Sequence, residues 1–172
     1  MNLADKYVIA GTGSRSLCVM PYEHGQAVFN RLCIEIKEAQ RQHDNLILMS
    51  GGAEGFDHWI TMAARACSVP YVLCIPNKGY INYYWTRKSA TGADQTQDAA
   101  DMLAGATDIE YTMEDVLGMS GISYNGTHSN FIRNQRMTDL ADEFFVYNAT
   151  SSGTADCVRR INVANKPWKE IR

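Results

Sequence analysis

The sequence has no Cys-x-x-Cys pair: its five cysteines, Cys18, Cys33, Cys67, Cys74 and Cys157, are odd in number and scattered. Three of them sit inside apolar runs, where a free cysteine behaves as a small hydrophobe. That pattern excludes a disulfide-stapled scaffold and a cysteine-built zinc site, and it fits a reduced, cytoplasmic protein. The four histidines (His24, His43, His58, His128) show no metal-ligand spacing, so neither a metal nor a resident cofactor is expected. Ser14, Ser50 and Ser152 have no readable histidine partner, which argues against a hydrolytic triad. No apolar stretch approaches the roughly 20 residues that span a bilayer, and residues 1–6 lack the apolar core of a signal peptide. Basic residues are not in excess either. Sixteen Lys and Arg stand against 19 Asp and Glu, for a net charge of -3 and a pI of about 5.8. Sequence-blind binding to nucleic acid needs a basic surface that displaces counterions, so nucleic acid is an unlikely partner on composition, and a membrane is not expected.

What is present is an ordinary globular mixture, 172 residues with 45% hydrophobic and 20% charged. With no internal repeat and no linker, residues 1–172 read as one domain able to bury a sizeable core. Short apolar runs alternate with longer amphipathic stretches. Tyr7-Val8-Ile9-Ala10, Leu46-Ile47-Leu48-Met49, Tyr71-Val72-Leu73-Cys74-Ile75 and Phe144-Phe145-Val146-Tyr147 have the length and continuous hydrophobicity of strands buried on both faces. Residues 107–111 are a weaker strand candidate and 168–171 a last edge strand. Phe29, Leu32, Cys33 and Ile36 recur at helical spacing, as do Phe56, Ile60, Ala63, Ala64 and Cys67. Further helices are expected over 94–104, 129–140 and 154–164. Alternating strands and helices imply right-handed crossovers. The predicted fold is α/β and Rossmann-like: a mainly parallel sheet of five or six strands with helices on both faces.

In such a sheet ligands bind along the edge formed by the strand C-termini. Gly11-Thr12-Gly13-Ser14-Arg15-Ser16, Ser50-Gly51-Gly52-Ala53-Glu54-Gly55, Asn77-Lys78-Gly79 and Ser151-Ser152-Gly153-Thr154 all follow strand ends, and the repetition of glycine-rich turns there is itself the signal. The first can cradle an anion on backbone N–H groups, with Arg15 as a bidentate donor. It lacks the third glycine of a dinucleotide fingerprint, where Ser16 stands. The second and fourth open helices whose unpaired N–H groups and dipole favour phosphate. Asp57 equally suits the first turn of its helix, and Ser152 or Thr154 an N-cap. Arg133 and Arg136, three residues apart, read by spacing alone as a solvated basic face near Asp139, Asp142 and Glu143. Trp59 and Trp85 read as packing residues, and the scatter of Met102, Met113 and Met119 as core.

In order along the chain, these segments resemble the SLOG superfamily, which takes in the DprA- and LOG-type proteins, and most closely its YpsA/YspA-like branch. The matching pieces are Gly13-Ser14-Arg15, Gly51-Gly52-Ala53-Glu54-Gly55-Phe56-Asp57, Pro76, Arg133-Asn134-Gln135-Arg136-Met137 and Ser152-Gly153-Thr154-Ala155-Asp156. The resemblance spans residues 7–164. It implies a Rossmann-like fold whose strand-end loops hold a nucleotide or nucleotide-derived ligand. The first functional expectation is a sensing or sequestering module, its ligand of NAD or ADP-ribose type because two phosphate subsites can be filled at once. The resemblance makes Arg133 and Asn134 ligand candidates beside Gly11, Gly13, Ser14, Arg15, Gly51, Gly52, Ala53, Ser152, Gly153 and Thr154. It also implies a homo-oligomer, and an added helix and strand within residues 80–128, whose aromatic start (Tyr80, Tyr83, Tyr84, Trp85) either packs that helix or walls the pocket. LOG-type members hydrolyse nucleoside monophosphates at the N-glycosidic bond, so the alternative function is a nucleotide N-glycosidase. The glutamate of the LOG motif is Cys157 here. The acid–base group of such an enzyme would then be Glu54, Asp57 or Asp156. A DprA-like single-strand DNA binder is the third reading.

Overall fold

The computed structural model describes residues 1–83, 85, 95–113 and 127–172. The chain runs β1 (Tyr7–Gly13), a 3-10 turn (Arg15–Val19), α1 (Tyr22–Gln42), β2 (Leu46–Ser50), α2 (Phe56–Ala66), β3 (Tyr71–Ile75) and a single helical turn, α3 (Gly79–Asn82). It continues through α4 (Thr96–Gly105), β4 (Asp108–Tyr111), α5 (Thr127–Leu140), β5 (Glu143–Tyr147), α6 (Ser152–Val163) and β6 (Trp168–Glu170). All six strands are parallel, in the order β4-β3-β2-β1-β5-β6. This is the doubly covered parallel sheet expected from the sequence.

The apolar runs become strands because both of their faces are covered. Alternate residues divide between two cores, as the two-residue period of a strand requires. Ile9, Leu48, Leu73 and Phe145 pack with Val28, Leu32 and Ile36 of α1, Ile60 and Ala64 of α2 and Met102 of α4. Val8, Ala10, Ile47, Met49, Val72, Cys74, Phe144 and Val146 face the other way, onto Met137 of α5, Ala141 just after it, and Cys157 and Ile161 of α6. The central strands β2 and β3 are buried throughout, whereas the edge strands carry charge: Asp108 and Glu110 in β4, and an exposed Trp168-Lys169-Glu170 in β6. Charged edges limit pairing with other chains.

Helix boundaries shift slightly from the sequence expectation. α5 begins at Thr127, two residues before the expected start, and α6 begins at Ser152 because Ser151 is its cap. Neither Ser152 nor Thr154 caps it. α4 begins at Thr96; Asp94, where the sequence places its start, lies outside the described residues, as do Tyr84 and Met119.

The strand order creates the site. From β1 the chain steps outward through β2, β3 and β4, then crosses back to place β5 on the other side of β1. The loops after β1 and β5 therefore leave adjacent strands toward opposite faces of the sheet. Between them opens the crevice of a topological switch point.

Candidate functional site

Four chain segments converge on this crevice. Gly13 ends β1 opposite Tyr147, and a Cβ there would meet the Phe56 side chain at 2.6 Å, so the strand end can lie this close to α2 only as glycine. Ser14 donates its backbone N–H to Tyr147 O at 3.1 Å, joining the two strand ends. Its side chain caps the following 3-10 turn, accepting from Ser16 N at 3.1 Å. Arg15, half-exposed, is ion-paired to the buried Glu54 at 3.0 Å.

The loop after β2 is held from within. Ser50 Oγ donates to Asp57 O at 2.6 Å and accepts from Gly52 N at 3.1 Å. Gly52 and Gly55 have φ of +72° and +85°, a region that favours glycine. Trp85, buried, donates its indole N–H to Gly52 O at 2.9 Å, a packing role in agreement with the sequence reading.

Arg133 reaches this loop from α5. Its Nη1 donates to Gly51 O at 2.7 Å and lies 3.5 Å from Asp57 Oδ2, while Nε donates to Asn134 Oδ1 at 3.0 Å. The guanidinium also lies 5.7 Å from the Tyr80 ring centroid, within cation–π range. Burial opposes its charge, but Tyr80 and Asp57 outweigh this and hold it protonated. Arg133 is thus buried, not part of a solvated basic face; Arg136 is ion-paired to Glu110 of β4 instead. Asp57 is affected in the opposite sense. Burial pushes its carboxyl up to about 6, against the pull of Arg133 and of the Ala53 and Gly13 N–H groups.

The loop after β5 completes the ring. Ser151 Oγ accepts from Thr154 N at 3.3 Å and hydrogen-bonds Thr154 Oγ1 at 2.8 Å, fixing the first turn of α6. Asn134 Nδ2 donates to Gly153 O and to Asp156 Oδ2, both at 3.1 Å. Asn134 therefore spends its carbonyl on Arg133 and its amide hydrogens on α6, which makes it the strut between them. Asp156 is further bound by Arg159 at 2.6 Å and Arg160 at 2.8 Å. Burial would raise its pKa, but the hydrogen bonds from Arg160, Asn134 and Arg159 hold the carboxyl below the usual range.

Together these segments enclose a cleft of about 410 Å³. Of the residues singled out in the sequence, Gly13, Ser14, Arg15, Ala53, Asp57, Arg133, Asn134, Ser152, Gly153 and Thr154 line it. Gly11, Gly51 and Gly52 stand behind the wall. Gly11 lies in the sheet, where a Cβ would meet Ile60, and Gly51 is closed over by Arg133, so these are packing glycines. Among the three candidate acid–base carboxylates only Asp57 faces the cleft; Glu54 and Asp156 are turned into their arginine pairs. Tyr80 walls the cleft as well as packing, while Tyr83 packs against the core. The sequence reading missed Asn130 and Phe131, which also line it. They precede Arg133 and Asn134 by one helical turn, and that spacing was the available signal. A larger depression of about 700 Å³ lies across α5 beside β4, and none of the glycine-rich loops reaches it. Among the described residues no cluster of three or more metal-ligating side chains occurs, and no helix is long and apolar enough to cross a membrane.

Fold and cleft together define a doubly wound parallel α/β protein with its candidate site at the switch point between β1 and β5. Solved structures share this fold. DNA processing protein A (DprA) from Streptococcus pneumoniae aligns with a TM-score of 0.62 at 15% identity, over 98% of this chain and 51% of that one. DprA from Helicobacter pylori, described for its single-stranded DNA binding mode, aligns with a TM-score of 0.62 at 15% identity, over 95% of this chain and 64% of that one. The structural-genomics protein TM1055 aligns at 0.54 and 12% identity, over 95% of this chain and 72% of that one. The chain thus spans only about half to two-thirds of the DprA chains it matches. At these identities the likeness is one of fold, and it agrees at that level with the SLOG-type resemblance. No protein-family profile and no curated protein sequence matches the chain.

Proposed function

We propose that the switch-point cleft binds a nucleotide or nucleotide-derived ligand of NAD or ADP-ribose type, and that the protein is a YpsA-like sensing or sequestering module. One observation carries this reading: a buried arginine and the capped N-terminus of α6 line the same cleft. Arg133 commits Nη1 and Nε to the protein, and Nη2 has no protein partner among the described residues. The N–H groups of Ser152 and Gly153 belong to the first turn of α6, where backbone donors and the helix dipole favour an anion. Arg15, Ser14 and Ala53 extend the anion-binding wall, which gives room for two phosphates. Phe131 and Tyr80 supply aromatic surface for a base or nicotinamide ring. Self-association and a cytoplasmic location belong to the same reading.

Gly153 tests it without disturbing the fold. A Cβ there would meet nothing within 4 Å, and alanine is the better helix former by about 0.8–1 kcal/mol. Gly153→Ala is therefore expected to melt at or slightly above the wild-type temperature, yet to bind ADP-ribose at least about tenfold more weakly, because a methyl on this wall of the cleft holds the phosphate off the α6 N–H groups, which the substitution leaves in place. Wild-type affinity in this variant would move the phosphate away from α6.

The second reading, an N-glycosidase, is favoured by Asp57, the one candidate carboxylate in the cleft. A carboxyl with a pKa of about 6 can donate a proton near neutrality. Incubation with AMP and chromatographic detection of free adenine with ribose 5-phosphate tests it; intact AMP bound at stoichiometry supports the binder. The composition-based case against nucleic acid is not supported by the fold, since the Helicobacter pylori neighbour is described by its single-stranded DNA binding. In this chain, however, Arg15 and Arg133 are the cations among the described lining residues, and each already faces a carboxylate. A steep loss of oligonucleotide affinity with salt would bring the DNA reading forward.

A further inference from the structure

We infer that Asp57 is the specificity-determining residue of the cleft: it competes with the ligand for Arg133, so that binding of an anionic phosphate group draws a proton onto its carboxyl. The inference rests on the nucleotide-binding reading above and adds to it a charge rule for the ligand.

The geometry sets up the competition. Asp57 and Arg133 are both more than nine-tenths buried, both line the cleft, and they lie 3.5 Å apart. Asp57 Oδ2 also accepts from Ala53 N at 3.4 Å, so the carboxylate occupies donors that an incoming phosphate would use. With the cleft empty this is the stable arrangement, because a buried guanidinium without a counter-charge is strongly unfavourable. A phosphate on Arg133 supplies that counter-charge itself. The carboxylate then becomes a second anion in the same poorly solvated pocket, and protonation relieves the repulsion.

The groups facing Asp57 leave it as the site of that proton. Arg133 of α5 is the opposing cation, and Cys157 of α6 faces it as a buried thiol pushed up to about 11, neutral at physiological pH. Ala53 and Gly13 face it only with backbone N–H groups. Tyr80 and Cys74 act on Arg133, and Glu54 is ion-paired to Arg15. Burial already places the Asp57 carboxyl at about 6, so an anion that raises it further takes up a proton across the neutral range. The sign follows: affinity rises as pH falls toward 6 and levels off below it, where the free protein is already protonated.

The test is calorimetric titration with ADP-ribose, whose pyrophosphate charge is constant over this range, at pH 5.5 and pH 8.5 in buffers of different ionisation heat. Wild type is expected to bind at least about tenfold tighter at the lower pH, since each pH unit between the free and bound pKa is worth up to about tenfold. Its binding heat at pH 7 should depend on the buffer, reporting proton uptake. Asp57→Asn should bind with an affinity independent of pH, and more tightly than wild type at pH 8.5; Asp57→Ser serves if the asparagine variant does not fold. A wild-type affinity that is flat in pH with no buffer-dependent heat rejects the coupling while leaving the binding site intact. A pH dependence that survives in both variants assigns the proton elsewhere and overturns the inference. Sulfate, a permanent dianion, is the second probe, read by thermal shift. Failure of both ADP-ribose and sulfate to bind at either pH rejects the binding reading together with this one.

Discussion

Arg133→Ala is expected to lower folding stability at pH 8 by about 3–5 kcal/mol and to remove ligand binding in the same step. The substitution leaves the Asp57 carboxylate buried with only the Ala53 and Gly13 N–H groups for support, and takes from Gly51 O its charged donor. It also frees Asn134 Oδ1, loosening the strut between α5 and the loop after β5. Because the orphaned carboxyl escapes the penalty by protonating, the loss should be smaller at pH 5.5 than at pH 8. Urea unfolding at the two pH values reads this directly. Arg133→Ala combined with Asp57→Asn should recover part of the stability at pH 8 and none of the binding. That split separates the buried pair as a structural unit from Arg133 as a ligand contact. A single variant as stable as wild type at pH 8 would show that the pair carries little structural weight.

The second large effect belongs to Gly55. Its backbone, at φ +85° and ψ -134°, lies where residues with a Cβ rarely go, and an added Cβ would come 2.5 Å from the Arg15 Cα and 2.9 Å from Ser14 O. These are backbone atoms, so no rotamer change relieves the contact. The loops after β1 and β2 touch at this point, with Phe56 N donating to Ser14 O at 3.4 Å. Gly55→Ala is expected to cost about 3 kcal/mol or more, read as a large fall in melting temperature or as insoluble protein. Gly153→Ala, with open space around its Cβ, is the matched control. Equal stability of the two variants would mean that the loops do not meet as described.

The sequence made the fold legible where burial is two-sided. The four long apolar runs became β1, β2, β3 and β5, because strands covered on both faces are hydrophobic without interruption. β4 and β6 were weaker signals for the same reason: edge strands carry charge, and Asp108-Ile109-Glu110-Tyr111 has no distinctive pattern. Helix starts slipped because Ser151, Ser152 and Thr154 are all plausible caps, and only the spacing to the Thr154 N–H selects Ser151. In the candidate site the glycine-rich turns could be seen locally, as strand-end loops. Arg133 could not. Its partners Gly51 and Asp57 are more than 70 residues away in sequence, so its spacing to Arg136 suggested a solvated face, and the SLOG resemblance alone drew attention to it. Ion pairing also explains why Glu54 and Asp156 stand outside the cleft, across 39 residues for Glu54 and within one helical turn for Asp156. Each lies near a candidate ligand residue in sequence, yet each is turned by an arginine: Arg15 for Glu54, and Arg159 and Arg160 for Asp156.

The most direct measurement is equilibrium binding of NAD, ADP-ribose and AMP to the wild-type protein and to Arg133→Met, which keeps an unbranched apolar stem and removes the guanidinium. If the switch-point cleft is a nucleotide site, at least one of the three binds wild type with one-to-one stoichiometry, and the methionine variant, confirmed folded by circular dichroism, binds it at least about a hundredfold more weakly, in line with loss of a buried charged hydrogen-bond donor. Unchanged affinity in the folded variant would place the ligand away from Arg133. Absence of binding by wild type at millimolar concentrations of all three would contradict the nucleotide reading itself.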